Sequence, residues 1–326
     1  FYIDVLFWVD GTTAIHQHGF SGAFHVMAGA SLQSTYRFAQ RRRYSEHLMT
    51  GDLDLLGVEL LTKGDVRPIA SGRALVHSLF HLDRPSVSVV VRTPSDVLAG
   101  PQYSYSRAGI AFDPFTKTES TERKIQTLDL LRALDSPEFE PLARATVRSA
   151  DAFSAFQILT HLRTRIEPHE KYIALLESVR PAHAELIDRI AAHADEERRD
   201  GYIILRRKLV KQPEHRFFLA LLLNLPDRAH ILDMVRRAFP ERPPVDTVLA
   251  WLAEIEKIDA VHAWVTEMAK GQATPILDVR LDARALAALR RILEGDSPRD
   301  MGDDAIVSLA QLQRSMLLRP LLSPCP

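Results

Sequence analysis

The sequence changes its hydrophobic period once, near Asp113, and that switch sets the fold class. Up to residue 112, apolar residues alternate with polar ones or gather in short β-branched runs. These are Tyr2–Val9, Ala23–Met27, Ser31–Phe38, Asp54–Leu61, Ala74–Leu82 and Ser86–Arg92, with Gly, Pro and Asp between them. Side chains of a strand alternate between faces, so such runs read as strands, and their spacing suits a jelly roll or barrel. The polar segment Ala39–Gly51, with Arg41, Arg42 and Arg43, reads as a loop or short helix at the barrel edge.

From Thr118 on, apolar residues recur at helical spacing. Runs include Lys124–Leu134, Glu138–Ser149, Ala152–Arg163, Tyr172–Val179, Pro181–Ala192, Tyr202–Leu209, Arg216–Leu225 and Ala260–Lys270. Ser136-Pro137-Glu138 and Pro226-Asp227 supply helix-start chemistry, while Pro240, Pro243 and Pro244 interrupt. No fixed repeat period emerges, so the helices form an irregular bundle rather than a solenoid. The chain is thus expected to be α+β, with a β-barrel over residues 1–112 and an all-α domain over 113–326. No Gly/Ser-rich linker separates Arg107 from Lys124, and Phe112, Pro114 and Phe115 give the junction apolar surface to bury.

Within the strand-rich half, His16-Gln17-His18 follows a glycine turn at Gly11 and precedes Gly19 and Gly22. Two histidines at i and i+2 on a strand share a face, so their imidazoles can meet one metal ion. About 50 residues later come Gly64-Asp65-Val66-Arg67-Pro68, then Gly72, then His77 inside an apolar run. His81, four residues beyond His77, faces the same way on a strand and is the alternative third histidine. Other polar groups have two readings each. His25 either lines the pocket as an acid–base group or is structural. Arg92, at a strand end, either holds a substrate carboxylate or forms a surface salt bridge. Tyr103 and Tyr105 either close the barrel mouth or pack against the helices. His183 and His193 with Glu185, Glu196 and Glu197 lack the paired spacing of a bundle metal centre and read as a charged helix face.

These blocks resemble the two sequence blocks of the cupin superfamily over roughly residues 2 to 94. The first has glycine, His-x-His, a glutamate and a closing glycine; the second has proline, glycine and a third histidine. The resemblance implies a small jelly-roll barrel in which His16, His18 and His77 ligate one metal. The family's glutamate position is Gly22 here, which leaves a neutral three-histidine set of the kind that suits Fe(II) with open positions. The thiol dioxygenase (cysteine dioxygenase-like) branch also lacks that glutamate, and its third-histidine segment is similar to His77–Pro94. That branch's Ser-x-His-x-Tyr reads Ser88-x-Val90-x-Arg92 here, so only the serine matches. The function so implied is that of a non-haem Fe(II) dioxygenase acting on a small thiol or acid. The alternative is a non-catalytic ligand-binding cupin or a scaffold whose helices bind a protein partner. Three imidazoles also accept Zn, Ni, Cu or Mn.

Composition narrows the partners. At 326 residues the chain is long enough for two domains, and a net charge of −1 gives no basic field for nucleic acid or anionic membrane. No apolar run reaches the ~20 residues of a membrane span; the longest is Phe217–Leu223. The single cysteine, Cys325, excludes a disulfide framework, and a reducing cytoplasm is the expected location. A homodimer is compatible with this composition. The chain opens inside a strand-like run without Met, so further N-terminal sequence is expected.

Overall fold

The computed structural model describes residues 1–9, 11–268, 276–297, 301 and 303–324. Cys325 and the end of the expected helix at 269–270 lie outside them. The strands come first: β1 Tyr2–Trp8, β2 Ile15–His18, β3 Gly22–Ala28, β4 Ser31–Arg43, β5 Leu48–Leu61, β6 Val66–Ile69, β7 Gly72–His81, β8 Ser86–Arg92, β9 Ser104–Ser106 and β10 Ile110–Phe112. The helices follow: α1 Glu119–Ala133, α2 Phe139–Ser149, α3 Ala152–Arg163, α4 His169–Arg206, α5 Pro213–Asn224, α6 Arg228–Ala238, α7 Pro244–Met268, α8 Ala283–Glu294, α9 Asp303–Leu312 and α10 Arg319–Leu322. The α+β order read from the sequence therefore stands, with the change of class between Phe112 and Glu119.

Two sheets form. One is a four-stranded antiparallel sheet in the order β1-β8-β3-β6; the other six strands close into a barrel, β10-β5-β4-β7-β2-β9. Period-two alternation assigns each barrel strand two jobs. Ile15, Tyr36, Val76, Tyr103 and Tyr105 pack together as the barrel's own core. Leu61, Leu75 and Leu79 pack instead with Phe24, Val26 and Val90 of the four-stranded sheet. A second apolar layer therefore lies between the barrel wall and that sheet.

The segment with Arg41, Arg42 and Arg43 is not a loop or helix. It is the end of β4, paired with β5 from Ser31↔Leu61 to Arg43↔Met49, with register shifts at Thr35/Tyr36 and Gln40/Arg42. Cross-strand pairs Arg37–Asp54 and Arg41–Asp52 replace apolar alternation there, which is why the polar sequence hides a strand. The break expected between Tyr172–Val179 and Pro181–Ala192 is a kink: α4 joins two helical segments at His183 (φ −135°, ψ 34°), two residues after Pro181, and the second segment runs on without the expected break through Tyr202 to Arg206.

The helices pack on the barrel. Leu32, Phe80 and Leu82 belong to one core with Phe217, Phe218 and Trp251, and Leu48 and Ile110 to another with Phe153 and Phe156. Each such fully buried side chain contributes roughly 1.5–3 kcal/mol.

Candidate metal centre

β2 and β7 are antiparallel neighbours, and His16 pairs directly with His77, while His18 pairs with Gly72 across a register shift. Ile15 points into the barrel core, so His16 and His18 point out of the wall, toward the side where Leu75 and Leu79 flank His77. The three rings gather there. Their centroids lie 4.7 Å apart for His16–His18, 4.9 Å for His16–His77 and 5.0 Å for His18–His77. One ring nitrogen from each falls within 4.8 Å of the others, and among the described residues no other His/Cys/Asp/Glu group gathers this closely.

The nitrogens at the centre are identifiable. His16 Nδ1 lies 2.8 Å from the Ala14 carbonyl, so it carries the proton and leaves Nε2 as the free lone pair. His77 Nδ1 faces Gln33 Oε1 at 3.4 Å, and its Nε2 lies 2.9 Å from His18 Nε2. Two lone pairs held that close repel unless a proton or a cation lies between them. The spacing also matches adjacent ligands on one ion, about 3 Å apart for metal–nitrogen bonds of ~2.0–2.1 Å.

Behind His77 stands a polar row from three strands. Gln33 Nε2 donates to Glu59 Oε1 at 3.0 Å, and Arg67 grips Glu59 through Nε and Nη2 at 2.7–3.1 Å. Gln33 and His77 are both buried. Such outer partners fix the orientation and tautomer of a ligating imidazole.

Burial keeps all three histidines neutral. It lowers His16, takes His18 down to about 3 with help from His16, and takes His77 down to about 2 with help from both neighbours. Metal ligation needs neutral imidazoles, so protons do not compete at neutral pH. No carboxylate can join from position 22. A Cβ added at Gly22 would lie 2.2 Å from the Val91 carbonyl oxygen and 2.9 Å from Arg92 Cα. The donor set is three neutral imidazoles, and it fits a divalent transition metal.

The remaining candidates are placed as follows. His81 is buried on the same strand but apart from the triad: its Nδ1 lies 2.8 Å from Ser31 Oγ and its ring stacks on Trp8 at 4.5 Å. Arg92 donates to Asp4 at 2.6 Å and lies over the ring of Phe20 at 4.8 Å; Phe20 in turn lies 4.8 Å from His18. It thus stands one aromatic ring from the triad. His25 alternates with the inward Phe24 and Val26, which puts it on the outer face of the sheet. Tyr103 packs in the barrel core and donates its hydroxyl to the Glu46 carbonyl; burial raises its pKa. Neither His25 nor Tyr103 shares the triad's face.

The charged stretch of α4 is in part a surface face, where exposed Glu185 pairs with Arg42 of β4; further along, Glu196 pairs with Arg107 of the barrel and Glu197 with Arg163 of α3. Gln33, Glu59 and Arg67 are the neighbours of the site that sequence reading misses, because only strand register brings them together. No protein-family model and no curated protein matches this sequence.

Proposed function

We propose that the chain is a metal-binding cupin in which His16, His18 and His77 hold one divalent ion, Fe(II) by preference. Its activity on this reading is non-haem oxidation of a small thiol or acid. The observation that carries it is the convergence of three imidazoles with two tautomers set by acceptors behind them, Ala14 and Gln33. His16, His18 and His77 would hold such an ion, which would supply Lewis-acid and redox chemistry for activating a small substrate and oxygen. Three neutral ligands leave its positive charge uncompensated, which favours an anionic substrate such as a thiolate or carboxylate. Arg92, beside Phe20, is the proposed anchor for a substrate carboxylate, exchanging part of its pairing with Asp4. Phe20 walls the site on the His18 side and limits water there.

One observation favours a second reading, a barrel that binds a ligand or supports the helices without catalysis. Phe24 and Val26 fill the space between the sheets, and the cavity beside Trp8 and His81 is only about 20 Å³, room for one water.

His16→Ala separates the two. It removes one of three ligands from a strand face without touching either apolar core. The expected result is loss of bound iron and of oxygen uptake with thiol or small-acid substrates, at the thermal stability of metal-free wild type. Metal content equal to wild type would refute the ligand assignment. Iron-loaded wild type that consumes no oxygen with any of them would leave the binding or scaffold reading.

A further inference from the structure

The outer face of the four-stranded sheet is apolar apart from His25. Across the register, Ile3, Val91, Ala23 and Pro68 form one row and Val5, Val89, His25 and Val66 a second; Phe7 and Val87 begin a third. Directly paired residues share a face. These rows carry no fixed charge, yet Ile3, Val5, Phe7, Met27, Val66 and Val91 are 44–70% exposed. On β1, Ile3, Val5 and Phe7 turn outward, while Leu6 and the ion-paired Asp4 turn inward. Six large apolar side chains, each roughly half exposed, leave a patch on the order of several hundred Å², the size of a functional patch on a monomer and a large part of one partner's share of a standard interface.

We propose that this face is a twofold homodimer interface, with the β1-β8-β3-β6 sheets of two copies packed face to face. The absence of fixed charge in the rows argues for a second copy. It offers nothing to complement a charged protein or anionic lipid, whereas an apolar sheet face is complementary to itself about a twofold axis. Two such faces pack as in a β-sandwich, about 10 Å apart. The histidine triad lies on the other side of the sheet, so dimerisation leaves it open and is independent of the metal assignment.

Light scattering on the full chain, over a wide concentration range, tests this. Wild type should run at twice 36.7 kDa. Val5→Lys/Phe7→Lys should run as a monomer with unchanged near-ultraviolet circular dichroism. Met27→Lys/Val66→Lys, on different strands of the same face, should do the same and covers the case in which the β1 variant does not fold. Wild type that stays monomeric throughout, or a dimer that survives both variants, overturns the proposal. A monomer that binds neutral lipid vesicles would give the face to a membrane and overturn it equally.

Discussion

His81 shows how burial alone changes what a histidine does. Burial, with a smaller contribution from Arg207, holds its pKa down to about 4, against 6.5 in an unfolded chain. Above pH 6.5 the ring is neutral in both states and costs the fold nothing. As pH falls from 6.5 toward 4, the unfolded chain takes up a proton that the folded one refuses, and about 3 kcal/mol of stability is lost. Below 4 the effect levels off. Urea unfolding at pH 7 and pH 4 should therefore show a pH dependence smaller by about that amount in His81→Gln; equal slopes would sink the assignment. Gln33 makes a different prediction. Gln33→Leu removes the acceptor behind His77 and should weaken metal binding roughly 10–100-fold, while Gln33→Glu, which keeps an acceptor but replaces the donor to Glu59 with a second carboxylate, should weaken it less. Titration with Zn(II) or Co(II) reads both, and equal affinities in all three proteins would remove Gln33 from the site. At this scale the sequence is partly legible. His16 and His18 declare a shared face by spacing alone, and the interval from Gly72 selects His77 over His81. Gln33, Glu59 and Arg67 are invisible, because nothing local says which strands will be neighbours.

At the scale of elements, β3 and β8 approach so closely that position 22 has no room for a side chain. Its missing carboxylate is therefore a property of the sheet as well as of the site. Gly22→Ala should destabilise the fold by about 1–3 kcal/mol or more, because the contact is with backbone that cannot rotate away. A melting temperature unchanged from wild type would show that the strands can part, and Gly22→Glu would then become a route to a fourth ligand. Strands rich in apolar residues, such as β3, β7 and β8, are legible by their period. The outer ends of β4 and β5 are not, because arginine–aspartate pairs do the work of apolar alternation. In α4 the stop at Pro181 is legible as the kink at His183, but not that a second segment follows with no loop, held in one core by Leu176, Val179, Leu186 and Ile187. Local signals give way to tertiary packing at both places.

At the scale of the whole molecule, the strand-rich and helical regions behave as one unit because polar groups of α4 reach into the barrel. Arg107 is clamped by Glu196 at 3.0 Å and Asp200 at 3.1 Å. Arg189 donates to the carbonyls of Gly51 and Ala108 at 2.8 and 2.9 Å, and Ser78 donates to Asn224. Gly109 has φ +76°, and a Cβ there would lie 2.1 Å from Arg189 Nη1, so the turn is shaped to admit that guanidinium. A sequence can announce the missing linker between residues 107 and 124; it cannot announce this clasp, which joins positions 81 to 146 residues apart. The coupling predicts that trypsin acting near residues 113–123 will not release two stable halves. Arg107→Ala should cost about 2–3 kcal/mol, the range for hydrogen bonds to charged groups, because Glu196 and Asp200 keep their charge in a half-buried place without it. The unfolding transition should stay single and move to lower denaturant for barrel and helices together. Near-ultraviolet signals from variants that keep only Trp8 or only Trp251 of the three tryptophans report the two regions separately, and transitions that split in Arg107→Ala would show the regions to be only loosely joined.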